Sequence, residues 1–396
     1  MNQILRYLFS IIFIILIVDV LAQQKKNHYG FGLKFLFGYH AAANRQSLYL
    51  PVYDANGNIV GRTWDYGPSM DGFPLAIDLS LLRINKQQTK FNQYFGNPLT
   101  GITYTAMMVN NTDTFGFNHA VVPFAEVRLK QTNKYQLNAH VGYGLSYVTK
   151  LYDFEKNFDN RAIATPINFA LNFGLSYHIK LAEKRELSTI IKYHHVSNGS
   201  TKMPNGGFNM LLVGIGLNFT ESDFFNLAEP NNLKTDERYF YIMSHIAGSY
   251  REIGYFRDTK GFYVLANSNT LFYKINQLLS LGAGVDFFYD PSPYLSKNIS
   301  LPLSKVYESN KKYAGAGFAS NFRFSRFFIP VGFYTYLNNR NNMLNQNYIR
   351  FGLGFQLTEK FYCGSFFKGT LKGGTKLESD FMEWSLGFKL PFKRNK

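Results

Sequence analysis

From residue 29 onward, apolar and polar side chains alternate with a period of two rather than 3.6, which is the signature of strands with two different faces. The pattern predicts strands over 29–40, 72–83, 101–108, 120–130, 135–149, 165–179, 187–197 and 209–220. It predicts a second group over 239–250, 261–275, 279–290, 312–325, 327–337, 347–357, 361–371 and 380–392. Most are long enough to cross a bilayer at a tilt, which takes about 9–11 residues. The connections alternate too. Tight turns at 131–134, 181–185, 277, 326 and 358–360 are interleaved with long polar segments at 41–71, 150–164, 198–208, 291–311 and 338–346. Short turns on one side and long loops on the other describe an outer-membrane barrel. The expected fold is therefore all-β: an antiparallel transmembrane β-barrel, read as one barrel of 14–16 strands. Two connections, 84–100 and 221–238, are long where parity asks for turns, and they keep open the alternative of two 8-stranded units.

Ahead of the strands, Arg6 precedes an apolar run from Tyr7 to Val18, and Ala22 ends the segment. A positive start, a short apolar core and a small exit residue make a secretory signal peptide. Residues 1–22 are thus expected to be removed. The remainder divides into a first barrel half over 23–220, a connecting segment over 221–238 and a second half over 239–396. Past Ala22 no apolar run approaches the roughly 20 residues of a spanning helix.

Composition sharpens this picture in three places. The chain holds 28 Tyr and 39 Phe, while its mean hydropathy is slightly negative, as expected where lipid-facing and inward residues alternate. Its single cysteine, Cys363, excludes an intramolecular disulfide framework. Net charge is +16, and losing the leader removes only Arg6 and Asp19, which leaves that value unchanged. Such an excess suits anionic, phosphate-bearing partners. Export argues against nucleic acid and for an anionic lipid surface.

The candidate chemistry lies in one hairpin, YHHVSNGSTKMPNGGFNMLLVGIGLNF, from Tyr193 to Phe219. Residues two apart share a face of a strand. On that rule Leu187, Thr189, Ile191, Tyr193, His195 and Ser197 face lipid, and Glu186, Lys192 and His194 face the lumen. After the loop, Asn209 leads the apolar set Leu211, Val213, Ile215, Leu217 and Phe219. His195, Ser197 and Asn209 therefore gather on the lipid side at the outer end of the hairpin. Polar groups there cost free energy unless they are paired. His195 and Ser197 stand about 6.5 Å apart along the strand, near enough for imidazole and hydroxyl to form a base and nucleophile. Asn198 and Gly199 supply an amide and backbone N–H groups for an oxyanion. His194 and His195 point to opposite faces and cannot chelate one metal ion together.

The stretch His195-Val196-Ser197-Asn198-Gly199, followed by Pro204-Asn205, Gly207 and Asn209, resembles the signature of the outer-membrane lipid A 3-O-deacylases, the PagL-type acyloxyacyl hydrolases. The likeness spans roughly 29–220. The C-terminal half resembles, more loosely, the extra region of the family's longer members. The resemblance implies a lipid-exposed esterase of the cell outer membrane that needs no cofactor or metal and acts on lipid A of lipopolysaccharide. Its strands would be inserted by the barrel assembly machinery. By position, Ser197 would be the nucleophile, His195 the general base and Asn209 the third triad member. Asn198 and the backbone near Ser200 would hold the oxyanion, and Lys202 could contact sugar phosphates. Smaller members carry a glutamate where this chain has Asn209. Asp380 and Glu383 supply carboxylates near the last strand, with nothing in the sequence bringing them to the site. The rival expectations are a non-enzymatic channel or surface-binding barrel, and a phospholipase-like barrel esterase.

Overall fold

In the computed structural model, both edges of the first strand are occupied by strands from the same half of the chain. The residues described are 27–40, 47–53, 59–66, 72–85, 90–221, 238–253, 260–292, 311–337, 347–372 and 376–392. The expected signal peptide and the segment 222–237 lie outside them. Strand β1 (Asn27–His40) is followed by a hairpin of β2 (Ser47–Tyr53) and β3 (Ile59–Tyr66), then by β4 (Leu75–Asn85), β5 (Leu99–Met108) and β6 (Phe117–Gln131). Next come β7 (Tyr135–Val148), β8 (Ile167–Ala182), β9 (Arg185–Ser197) and β10 (Phe208–Thr220). Antiparallel pairing of β1 with β4 on one side and β10 on the other closes an eight-stranded barrel.

The second half repeats this closure. It comprises β11 (Phe240–Ile253), β12 (Lys260–Lys274), β13 (Leu279–Tyr289) and β14 (Lys312–Phe324), then β15 (Phe327–Tyr336), β16 (Asn347–Gln356), β17 (Phe361–Lys372) and β18 (Lys376–Phe392). Strand β11 pairs with β12 and β18. All sixteen predicted strands are present in an all-β antiparallel architecture. The single barrel of 14–16 strands is corrected to two barrels of eight. A strand has two edges, and β1 and β10 use theirs on each other, so no hydrogen-bonding edge is left through which the second half could join the first sheet.

The segment 41–71, read as a loop, contains the β2–β3 hairpin. The other irregular connection, 84–100, carries a short helix, α1 (Lys90–Phe95), and buries Phe95, Asn97 and Leu99 at the turn end of the first barrel. There Arg128 Nη2 donates to Gly96 O at 3.1 Å. The tight turns are local solutions. In the β6–β7 turn, Thr132 Oγ1 accepts the Tyr135 N–H at 3.1 Å, and in the β16–β17 turn Thr358 Oγ1 accepts from Phe361 at 3.0 Å.

An eight-stranded barrel has an interior just wide enough for side chains to fill, and both lumens are filled. At the loop end of the first barrel, Phe115, Val148, Val196, Phe208 and Met210 pack with Ala162 and Ile163 of the β7–β8 loop, which folds into the mouth. Below them lies a buried polar layer. Lys192 Nζ meets Asp78 Oδ2 at 2.6 Å, and Glu126 binds His140 Nδ1 at 3.0 Å and His178 Nε2 at 2.8 Å. The second lumen is aromatic around two cations. Arg350 pairs with Asp286 at 2.8 Å and with Glu383, while Lys368 sits inside a cage of Phe288, Tyr313, Tyr336, Tyr348 and Phe381. Outward residues are apolar and exposed, among them Phe35, Leu81, Phe173, Ile191 and Ile215. The apolar belt faces out and the polar residues face in, as a bilayer requires.

Candidate active site

The alternation along β9 places Glu186, Ser188, Lys192, His194 and Val196 inside the barrel and the odd-numbered residues outside. His194 is fully buried in the lumen, where its ring nitrogens meet Asn118 and Asn172. His195 and Ser197 thus project from the outer wall at the loop end. The β9–β10 register sets Asn209 directly opposite His195. Cross-strand neighbours have Cβ atoms about 4.5–5.5 Å apart, close enough for their polar ends to bond.

They do bond. His195 Nδ1 lies 2.6 Å from Asn209 Oδ1, which also accepts the Tyr193 hydroxyl at 2.8 Å. Asn209 Nδ2 donates to Gly206 O at 3.4 Å, which fixes which end of the amide faces the ring. An amide oxygen can only accept, so Nδ1 carries the proton and Nε2 keeps a free lone pair. That is the tautomer of a general base. The Tyr193 ring runs parallel to the imidazole at 6.5 Å between centroids and flanks it on the membrane side.

Around Ser197 the loop is tightly held. Its Oγ accepts the Gly199 N–H at 3.1 Å and Asn205 Nδ2 at 2.9 Å, and its hydroxyl donates to Asn205 Oδ1 at 3.2 Å rather than to His195. The same Asn205 Oδ1 accepts the Asn198 N–H at 3.1 Å. Two N–H donors thus converge on the hydroxyl oxygen, an arrangement that favours negative charge there. Gly207 lies beneath the pair with φ 70°, and a Cβ there would come within 2.9 Å of Val196 O and 3.3 Å of His195 Cε1. The left-handed backbone alone would cost another residue about 1–2 kcal/mol.

The remaining expected residues lie nearby but point elsewhere. The Asn198 side chain is buried and donates to Lys202 O at 2.7 Å, so its amide serves the loop rather than an oxyanion. Ser200 is buried at φ 63° in the turn after Gly199. Lys202 Nζ reaches Glu252 of the second barrel at 3.4 Å, which directs it away from any sugar phosphate in this arrangement. Glu383 is held by Arg350 in the second lumen, and Asp380 is held by Lys368 and Thr370. Neither carboxylate touches the site. Asn205 and Tyr193 were not foreseen as site residues. Tyr193 could have been found from strand period, since it shares the face of His195. Asn205 lies in a loop, where no periodicity reports direction.

Comparison with known proteins assigns both barrels. A family profile described as Lipid A 3-O-deacylase (PagL) matches residues 71–218, and one described as Acyloxyacyl hydrolase, C-terminal domain, matches residues 239–394. No curated protein matches the chain. Among solved structures, the outer membrane channel DcaP of Acinetobacter baumannii is 9% identical over 93% of this chain and 99% of its own, with a TM-score of 0.16. The Pseudomonas putida toluene transporter TodX is 9% identical over 94% and 92%, also at 0.16. Scores that low carry no argument about this chain. The two profiles take in fifteen of the sixteen barrel strands, the hairpin signature included, and the chain belongs to the lipid A 3-O-deacylase family, with the second barrel as its acyloxyacyl hydrolase C-terminal domain.

Proposed function

We propose that this protein is an outer-membrane esterase that removes the 3-O-linked acyl chain of lipid A, with Ser197 as nucleophile and His195 as general base. The observation that supports it most is the His195 Nδ1–Asn209 Oδ1 hydrogen bond of 2.6 Å, made on the lipid-facing wall two residues from Ser197. It leaves Nε2 with a lone pair that can take the Ser197 proton once the hydroxyl turns from Asn205 Oδ1. Ser197 Oγ attacks the ester carbonyl, and the proton passes to His195 Nε2. The Gly199 N–H and Asn205 Nδ2, which donate to Ser197 Oγ, are the donors proposed here for the charge that develops on the carbonyl oxygen. The intermediate then collapses with cleavage of its bond to the sugar oxygen, and His195 returns its proton to that oxygen, which leaves as a hydroxyl. A water activated by the same imidazole cleaves the acyl-enzyme, releasing a 3-hydroxy fatty acid and restoring Ser197. No metal or cofactor enters these steps.

The lipid-side location gives the enzyme its substrate directly, because lipid A acyl chains already lie against the barrel wall. The filled lumens favour this reading over a channel. Cells carrying Ser197→Ala or His195→Ala are expected to retain the acyl chain on lipid A while the barrel still assembles in the outer membrane. Mass spectra of extracted lipid A decide the matter: release undiminished in either variant removes the proposal. Phospholipid cleavage in place of lipid A cleavage would make this a phospholipase-like barrel. The mature N-terminus, expected at Gln23 after removal of 1–22, is read from the purified protein by the same method.

A further inference from the structure

Ser197 belongs to the first barrel, but the second barrel holds its neighbours on two sides. On β8 the residue paired with Ser197 is Phe169, whose ring lies 5.5 Å from Trp384 of β18. Tyr143 packs parallel to Phe169 and donates to Ser365 Oγ of β17 at 3.0 Å. At the turn end Phe95 of α1 stacks on Phe324 of β14 with 5.6 Å between centroids. The barrels therefore touch at both ends.

The other side is the backbone of the β9–β10 loop. Strands β11 and β18 pair as far as Gly248–Trp384, and the pairing ends there although β11 runs on to Ile253. An unpaired strand edge leaves N–H groups without a ladder partner, and the loop takes one of them. The Glu252 N–H donates to Thr201 O at 2.6 Å, and Lys202 forms a parallel bridge with Glu252. On β18, Met382 faces outward yet is only 8% exposed. Gly199 lies against it so closely that a Cβ there would come within 2.6 Å of Met382 Cβ. The loop thus touches β11 and β18 where those two strands have parted. The turn it makes there is a demanding one. Gly199 and Ser200 are consecutive left-handed residues, each with φ 63°, a conformation disfavoured for any residue with a Cβ. The same turn carries the Gly199 N–H that donates to Ser197 Oγ.

We propose that Met382 and Glu252 are positioning residues of the hydrolase: through them the second barrel braces the turn at 199–201 and keeps the Gly199 N–H aimed at the reacting oxygen of Ser197. The inference rests on the hydrolase reading above. Each residue acts through the loop backbone, Met382 by packing on Gly199 and Glu252 by its own N–H. A misplacement of about 1 Å in a reacting group costs about 10²-fold in rate, so a loosened turn is read in turnover rather than in substrate binding.

The test uses the full chain in mixed micelles of detergent and lipid A, with fatty acid release counted per assembled barrel, the fraction that stays folded on an unheated gel. Met382→Ala empties the contact on Gly199 and is expected to lower kcat by about 10–10²-fold with KM unchanged. Met382→Leu conserves the volume and is expected to restore kcat to within about threefold of wild type. Glu252→Pro removes the N–H on Thr201 O and is expected to lower kcat by about tenfold or more. Glu252→Ala keeps that N–H and loses only the partly exposed ion pair with Lys202, so its fall is expected to stay below about threefold. Phe318→Ala, 77% exposed on β14, serves as the reference and is expected to keep the wild-type kcat. With Ser197→Ala inactive, three results each overturn the brace and leave the hydrolase standing: wild-type kcat in Met382→Ala or Glu252→Pro, a loss that Met382→Leu does not restore, or equal losses in the two Glu252 variants. Activity surviving in Ser197→Ala overturns the hydrolase, and the brace with it.

Discussion

At the scale of single residues, the proposed site differs from what the resemblance implies for smaller family members in the group behind the imidazole, Asn209 rather than a glutamate. Asn209 orients His195 as a carboxylate would, but it is neutral and adds nothing to the stabilisation of an imidazolium. Neutrality has an advantage on a lipid-facing wall, where an ionised group carries a desolvation cost of several kcal/mol. Asn209→Ala removes the acceptor that holds the useful tautomer and is expected to lower turnover by about 10²–10⁴-fold, bounded by the loss seen when a triad acid is replaced in a serine protease. Asn209→Asp keeps the acceptor and adds a charge that Tyr193 OH can solvate. It is expected to raise kcat while lowering the thermal midpoint in detergent. Single-turnover release of fatty acid and a melting curve read the two effects separately, and a slower Asp variant would contradict the electrostatic account.

At the scale of elements, the strand that presents the site outside also anchors the barrel inside. Strand β9 alternates His195 and Ser197 with Lys192 and His194, so one extended segment serves two environments. Lys192 is 1% exposed and pairs across the lumen with Asp78 of β4, whose other oxygen accepts the Thr105 hydroxyl at 2.6 Å. Removing one partner strands a buried charge, so Lys192→Met is expected to destabilise the barrel by about 3–5 kcal/mol. Adding Asp78→Asn should recover much of that loss. Urea midpoints for folding into vesicles measure both, and equal midpoints for wild type and Lys192→Met would show that the pair adds nothing. The strands themselves were legible because alternation is local: each predicted span overlaps a strand of the structure, and the lipid-side placement of His195, Ser197 and Asn209 follows from period alone. The β2–β3 hairpin is not legible although SLYLPVY alternates, because its polar sequence surroundings have the composition of a loop.

At the scale of the whole molecule, the two barrels meet at the loop between β9 and β10. The Lys202–Glu252 bridge joins that loop to β11. Bridge partners sit at the Cα separation a disulfide spans, about 4.4–6.8 Å. In a chain with Cys363→Ser and a protease site inserted in the connecting segment, Lys202→Cys with Glu252→Cys is expected to form a disulfide on oxidation. The cut halves would then migrate together on a gel until reductant is added. Halves that separate without reductant would show that the barrels do not meet there.

The amino-acid order by itself determined the strands, the face each residue occupies, and hence a histidine, a serine and an asparagine gathered on the membrane side of one hairpin. Those properties depend on neighbours two positions apart, and two-residue periodicity is written in the chain. Only the tertiary structure decided that β1 meets β10 and closes eight strands rather than sixteen. It alone brought Asn205 to the hydroxyl oxygen and set Trp384 beside Phe169. Each of these depends on residues brought together across a closure or a loop, and no local pattern records which distant edge a strand will find.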